Sequence, residues 1–241
     1  METSPREDAD VETSSDAYAL RFRGAVGAWF LDVQARTTVE LLAPFPHARV
    51  LDVGGGHAQL AGPLADAGHE VTVYGSDERC RARVATLVAA GRARFASGDL
   101  LHAPFADRAF DVVLSFRLLP HVGAWPALVG ELCRLAGRAV VVDYPTRRSV
   151  NAFAGAFFDA KKGVERDTRP FAVFSDREIA DAFAAHGFRV SARRPQFLLP
   201  MALHRAHGRG GLGRALEAVP RAVGLTHALG SPVILRAERH G

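Results

Sequence analysis

Several things are scarce in this 241-residue chain, and each scarcity excludes something. It holds two cysteines, Cys80 and Cys133, 53 positions apart and without a partner motif. That spacing fits two reduced thiols and excludes both a disulfide framework and a structural zinc site. No run of eighteen residues lacks an ionised side chain, so no transmembrane helix is expected. The start, METSPREDAD, has no apolar stretch behind a basic one; no secretory signal is expected, and the chain reads as cytoplasmic. Lysine is nearly missing: Lys161 and Lys162 are the only two, and the other 28 cations are arginines spread along the chain. The formal charge is +4, but the first sixteen residues hold six acids and one arginine, leaving 29 cations against 20 acids beyond them. A body at +9 invites a nucleic-acid partner, whereas scattered arginines without a clustered basic stripe speak against one.

What is present is enough apolar material, 48%, for one sizeable core, hence a single domain over 17–241. Residues 1–16 are polar and acidic and cannot bury enough surface to offset their ordering entropy, so a disordered tail is expected. Over 17–46, Tyr18, Phe22, Val26, Trp29, Phe30, Val33 and Leu41 recur near helical spacing up to Pro44 and Pro46, predicting a helical cap of one or two segments. Short β-branched runs follow at 49–53, 71–74, 93–96, 112–116 and 139–143, alternating with helical stretches at 59–67, 78–90 and 125–135. Strand, helix, strand in that rhythm predicts a parallel sheet covered by helices on both faces. Ser175 and Glu178 have capping-box spacing ahead of a further helix, and 188–192 and 232–236 read as two last strands.

The most informative segment is VLDVGGGHAQL, Val50 to Leu60: an apolar strand containing Asp52, then Gly54, Gly55 and Gly56, then a helical stretch. Glycines at such a turn permit positive φ and close approach of a ligand to the backbone. A plain tight turn is the alternative. Asp77 ends the second strand, 25 residues beyond Asp52, where an acid suits ribose hydroxyls; Asp99 follows the third, where it suits an exocyclic amine. Asp77 also suits a helix cap, and Asp99 a strand terminator. Gln59 stands where a dinucleotide fingerprint needs its last glycine, and no Gly-Lys-Ser/Thr follows for a P-loop.

In this order of motifs, residues 50–143 resemble the class I S-adenosylmethionine-dependent methyltransferases. The Gly-x-Gly-x-Gly pattern of that family is matched by Gly54 and Gly56, with Ala58 in the third place. The resemblance implies a Rossmann-like, doubly wound, seven-stranded and mostly parallel sheet with helical lid insertions, and S-adenosyl-L-methionine as cofactor. It implies that Asp77 binds the ribose and that Asp99 with Leu100 lines the adenine. FDVVLSFRLLPHV looks like the family's fourth strand, placing Phe116 and Arg117 beside the sulfonium with His121 just beyond. Tyr18 and Arg21, on the lead-in helix, are expected to close over the cofactor.

Methyl transfer from a sulfonium needs alignment and exclusion of water more than a fixed catalytic set. For a hydroxyl acceptor the nearest candidate general base is His121, with Tyr144 and His204 behind it; a packing or capping role is the alternative for His121. No cluster of His, Asp and Glu has metal-ligand spacing, so transfer without a metal is expected. Selectivity should lie in two insertions, 146–174 and 196–230. The first carries Phe153, Phe157 and Phe158 among cations, and the second includes His204. Together they suit a hydrophobic small-molecule acceptor of specialised metabolism, with the chain a monomer or homodimer. The alternatives are an RNA or protein methyltransferase, and a non-catalytic cofactor-binding scaffold or NAD-type oxidoreductase.

Overall fold

A computed structural model describes residues 7–149, 171–207 and 210–240. The first elements are α1 (Ala9–Thr13), α2 (Asp16–Leu20) and α3 (Gly24–Leu42), leading into β1 (Arg49–Val53). Then come α4 (Ala61–Asp66), β2 (Glu70–Gly75), α5 (Ala85–Ala89), β3 (Ala93–Ser97), β4 (Phe110–Ser115), α6 (Trp125–Leu135) and β5 (Ala136–Tyr144). The chain ends with α7 (Asp176–Ala184), β6 (Phe188–Phe197), α8 (Met201–His207), α9 (Gly210–Ala222), α10 (Leu225–Leu229) and β7 (Ser231–Arg239). The seven strands form one sheet in the order β3-β2-β1-β4-β5-β7-β6, parallel except for β7.

Alternation along the strands sorts the core into two layers. Leu51, Val53, Val113, Val140 and Val142 pack with Leu128 and Leu132 of α6 and Ile179 and Phe183 of α7 on one face. Their neighbours Val50, Val112, Leu114 and Val141 pack with Leu41 and Leu42 of α3 and Leu60 and Leu64 near α4 on the other. Strands buried on both faces need continuous apolar runs, which is why AVVV of β5 reads that way. The strand order reverses between β1 and β4, and a crevice opens there at the carboxyl ends of the strands.

Two expectations are corrected. The acidic tail is not disordered throughout: α1 is helical, and the Asp10 carboxylate is buried, accepting from the Ser76 N–H at 2.7 Å. A polar partner rather than apolar burial anchors the segment, and composition does not report that. The stretch 78–90 is not one helix. The Asp77 side chain accepts from the Arg79 N–H at 2.8 Å, setting a tight 3-10 turn over Glu78–Arg81 before α5. The insertion begins and ends in a parallel bridge between Thr146 and Phe174, but Phe153, Phe157 and Phe158 lie outside the described residues. The predicted capping box is present: Ser175 and Glu178 satisfy each other's backbone amides at 3.2 and 2.7 Å.

Candidate functional site

The site is built where β1 ends. Gly54 has φ +73, a left-handed turn that a side chain disfavours, and its N–H donates to the Tyr74 carbonyl at 2.8 Å. Gly55 opens the 3-10 turn Gly55–His57, which also holds Gly56, directly over the Asp52 carboxyl group. A Cβ on Gly55 would stand 2.3 Å from Asp52 Oδ2, so no other residue fits with that carboxyl in place. Ala58 has φ +60. Its cost is therefore left-handed backbone, on the order of 1 kcal/mol.

Beneath this turn lies a buried polar network that sequence reasoning missed. Asp143, at the end of β5, accepts from Gln34 Nε2 of α3 at 2.9 Å and from the Arg117 N–H at 2.6 Å. Gln34 Oε1 in turn accepts from Arg117 Nη2 at 2.8 Å and Gln59 Nε2 at 2.7 Å. Arg117, with φ +58, is held in a strained backbone conformation by these contacts, a feature that concentrates at functional sites. The available signal was the pair of acids in two apolar strands, Asp52 in RVLDV and Asp143 in AVVVDY; nothing local marked Gln34.

Two buried oxygens of this cluster, Asp52 Oδ1 and Gln59 Oε1, have no hydrogen-bond partner, and groups so buried are ordinarily satisfied. They are the natural acceptors for a ligand that donates or carries positive charge. Burial, reinforced by Asp143, pushes the Asp52 carboxyl up to about 7. Burial also raises Asp143 to about 6, against the opposing pull of the Arg117 amide and guanidinium. Desolvation lowers His57 to about 4, with Arg117 adding to it, so its imidazole is neutral.

Thr13, Asp52, Gly54, Gly55, His57, Phe116 and Arg117 enclose a narrow cavity at this point. The N-terminal segment forms its wall. Tyr18 and Phe22 set their rings 5.6 and 5.5 Å from His57, and the Arg117 guanidinium lies 4.1 Å over Phe22. Arg21 stacks on the outer side, 4.9 Å over the Tyr18 ring. Arg83 ties the strap down by donating to the Ser14 and Ser15 carbonyls at 2.8 and 3.2 Å. Asp10 also accepts from the Cys80 thiol at 3.4 Å.

The other expected residues divide. Asp77 sits at the β2 end of the crevice, half-exposed, as the cap of the following turn and 2.9 Å from Arg79 Nε. Asp99 caps its own turn through the Leu101 N–H at 2.9 Å and faces His102 Nδ1 at 3.1 Å. Leu100 buries its side chain wholly in the core, so only its backbone can line a ligand. His121 lies at the carboxyl edge in the 3-10 turn Leu119–His121, 5.5 Å from Phe171. Tyr144 is corrected as a base. It is buried, donates to Asp176 Oδ1 at 2.7 Å, and its phenol is pushed far up by burial and by Asp176. His204 is corrected too: it is buried among Trp29, Phe30 and Phe197, with Nε2 3.1 Å from Glu217 Oε1, outside the cavity. Helical packing of α8 against α3, invisible in the local sequence, draws it inward. Among the described residues no group of three His, Cys, Asp or Glu could hold a metal ion, and no helix is long and apolar enough to cross a membrane.

Comparison with known proteins bears on this geometry. A family model described as a methyltransferase domain matches residues 30–192. A demethylmenaquinone methyltransferase of Beutenbergia cavernae is 33% identical over 119 residues, 46% of this chain and 47% of that protein. The alignment thus spans about half of that relative. Among solved structures, magnesium protoporphyrin IX methyltransferase from Synechocystis PCC 6803 with bound SAH superposes with a TM-score of 0.66 at 16% identity, covering 90% of this chain and 86% of that one. A pyocyanin biosynthetic protein superposes at 0.56 and 19% identity, covering 86% of this chain and 54% of its own. At those identities the likeness is one of fold.

Proposed function

Since the chain belongs to the methyltransferase domain family as an S-adenosylmethionine-dependent enzyme, we propose that its methyl acceptor is a hydrophobic small molecule. The observation that carries this reading is the enclosure of the crevice: α1, α2 and the start of α3 cover the glycine turn with Tyr18 and Phe22, leaving a narrow, partly aromatic recess beside Phe116. Such a recess suits a small apolar ligand better than a polynucleotide. The names of the relatives support it, since demethylmenaquinone and magnesium protoporphyrin IX are both largely apolar molecules.

The residues present fit the cofactor. Bound, it supplies an electrophilic methyl group on a sulfonium. In this reading Asp52 and the Gly54–Gly56 turn receive its amino-acid part, Asp77 the ribose and the Asp99 turn the adenine. Phe116 and Arg117 border the reacting centre, and Tyr18 excludes water from above. His121, at the carboxyl edge, is the ring placed to take a proton from an acceptor hydroxyl, whereas Tyr144 and His204 are bonded within the core.

The acceptor is tested by incubating the enzyme with methyl-labelled cofactor and, separately, quinone, porphyrin and phenazine acceptors, transfer RNA, or protein. Label in a solvent-extractable small molecule is expected; label confined to RNA or protein overturns the reading. Asp77→Ala should weaken cofactor binding by about 1.5 to 3 kcal/mol, the range for a hydrogen bond to a charged group. Unchanged affinity by calorimetry would remove Asp77 from the site.

Binding should also depend on pH. Asp52 and Asp143 hold protons up to about 7 and about 6. A cationic ligand favours their ionised forms, so binding expels protons and tightens as pH rises through that window. Calorimetry at pH 5.5 and 7.5, in buffers of different ionisation enthalpy, should show proton release and a several-fold higher affinity at the upper value. Affinity that is flat or falls with pH would show that Asp52 is not next to the cofactor's charge.

A further inference from the structure

The first helix lies inside the crevice rather than above it. Glu7 Oε1 is 3.9 Å from the place a Cβ on Gly123 would take, in the connection that follows β4. Three residues on, the Asp10 carboxylate reaches the end of β2, accepting from the Ser76 N–H at 2.7 Å and from the Cys80 thiol at 3.4 Å. Thr13 arrives at the glycine turn after β1, where it lines the cavity with Asp52, Gly54 and Gly55. Residues 7–13 thus cross the carboxyl ends of β4, β2 and β1, which are neighbours in the sheet. Ala9 and Asp10 are 3% and 0% exposed, and Ala9 belongs to the core layer that holds Tyr74 and Leu100.

Volume decides what this leaves for a ligand. The cavity beside the glycine turn measures about 10 Å³, room for one water molecule. A small-molecule site needs roughly 300 Å³ or more. Between the glycine turn and the turn after Asp77 the space is filled by protein, and the element packed against both turns is α1. Its hold on the crevice is weak. Five residues are too few to keep a helix without the surface it lies on. Its buried acid, Asp10, meets an amide and a thiol rather than a cation among the described residues, and Asp10 Oδ1 has no hydrogen-bond partner. A carboxylate so placed costs free energy to bury. Just beyond α1 the chain is pinned: Arg83 donates to the Ser14 and Ser15 carbonyls and to Asp16 Oδ1 at 2.5 Å. The chain can therefore turn at Ser14 and Ser15 while Tyr18 and Phe22, past the pin, keep their place over the glycine turn.

From the burial of Ala9 and Asp10 across the strand ends and the lack of room beside them, we propose that α1 is a built-in competitor for the nucleoside part of the cofactor. The cofactor enters only as residues 7–13 leave the crevice, and the segment returns when the site empties. This rests on the reading that Asp77 and the Asp99 turn receive the nucleoside. It is the reverse of a lid: ligand binding loosens α1 instead of fastening it. Apparent affinity is then reduced by the fraction of molecules in which α1 is seated, so any change that unseats the helix tightens binding.

Hydrogen exchange of the full chain with and without S-adenosylhomocysteine tests the direction. Exchange over 50–60 should slow, which reports ligand at the glycine turn, while exchange over 9–15 should quicken several-fold. Slower or unchanged exchange over 9–15 beside protection at 50–60 overturns the proposal and leaves cofactor binding at the turn standing. Calorimetry on variants supplies a second measurement. Asp10→Ala removes both ties of α1 to the end of β2 and should tighten S-adenosylmethionine binding about tenfold, the scale of hydrogen bonds to a charged group. Loss of an acid beside a cationic ligand would by itself weaken binding, so the sign separates a competitor from a ligand contact. Ala9→Arg, too large and polar for its buried place, should act in the same direction, and Glu12→Gln, on the exposed side of α1, should leave affinity unchanged. A cooperative thermal transition verifies that each variant folds. Binding that is weaker or unchanged in Asp10→Ala overturns the proposal. No binding to the parent and none to either unseated variant overturns the cofactor reading of the crevice, and the proposal with it.

Discussion

Asp143→Ala is expected to lower folding stability by about 3 kcal/mol at neutral pH and to abolish measurable cofactor binding. The carboxylate is the shared acceptor for Gln34 Nε2 and the Arg117 N–H, both buried in the crevice between β1 and β4. Removing it strands two donors at about 1 to 3 kcal/mol each, and it takes the counter-charge from a guanidinium that burial already drives toward its neutral form. It also frees Arg117 from the bond that holds its φ at +58, so the residue beside the reacting centre is expected to relax away. One effect opposes these: Asp52 loses a like-charged neighbour. That repulsion ranks below burial in raising Asp52, so it offsets a part and not the whole. Asp143→Asn keeps one acceptor oxygen and should recover more than half of the loss. Denaturant unfolding of the three proteins measures this, and an alanine variant within 1 kcal/mol of the parent would show that the network is not a structural unit.

Gly55→Ala should cut cofactor affinity by at least a hundredfold. The substituted Cβ would lie 2.3 Å from Asp52 Oδ2 and 2.4 Å from its Cγ, inside any permissible contact. Asp52 is buried and cannot swing out into solvent, so either its carboxyl leaves the site or the turn lifts away. Both outcomes remove the acceptor and the backbone cradle together. Gly62 is the control, because it lies in α4 and a Cβ there meets nothing nearer than Leu87 Cδ1 at 4.0 Å. Gly62→Ala should leave binding unchanged and raise stability by about 0.5 to 1 kcal/mol, from helix propensity and reduced freedom of the unfolded chain. Equal cofactor affinity in the Gly55 variant and the parent would mean that the ligand does not approach β1 at this turn.

Cys80 illustrates how the strap and the sheet depend on each other. Its thiol is raised to about 11 by burial and by the Asp10 carboxylate, so it remains protonated and serves as a donor to Asp10 rather than as a nucleophile. Asp10 therefore joins α1 to the end of β2 through two donors, the Ser76 amide and this thiol.

The elements were legible in the sequence wherever burial follows a simple period. The interior strands announce themselves because both faces are covered, which demands unbroken runs such as AVVV, and the box around α7 is visible because its two residues satisfy each other locally. Position of the glycine turn was equally legible, since a left-handed φ at Gly54 and the absence of room at Gly55 are conditions that residue identity meets directly. What only the tertiary structure decided are contacts between segments far apart in the chain. Gln34 lies 109 residues from Asp143, Asp10 lies 66 from Ser76, and His204 owes its burial to α3 rather than to its own neighbours. Composition marked the N-terminal stretch as too polar to order, because it counts apolar surface and cannot see a backbone amide waiting at the end of a strand. Likewise Tyr144 and His204 have side chains capable of proton transfer, yet partners brought by packing, Asp176 and Glu217, determine that one is a core donor and the other a buried clasp. Identity sets what a side chain can do, and the fold sets which neighbours and how much water it meets.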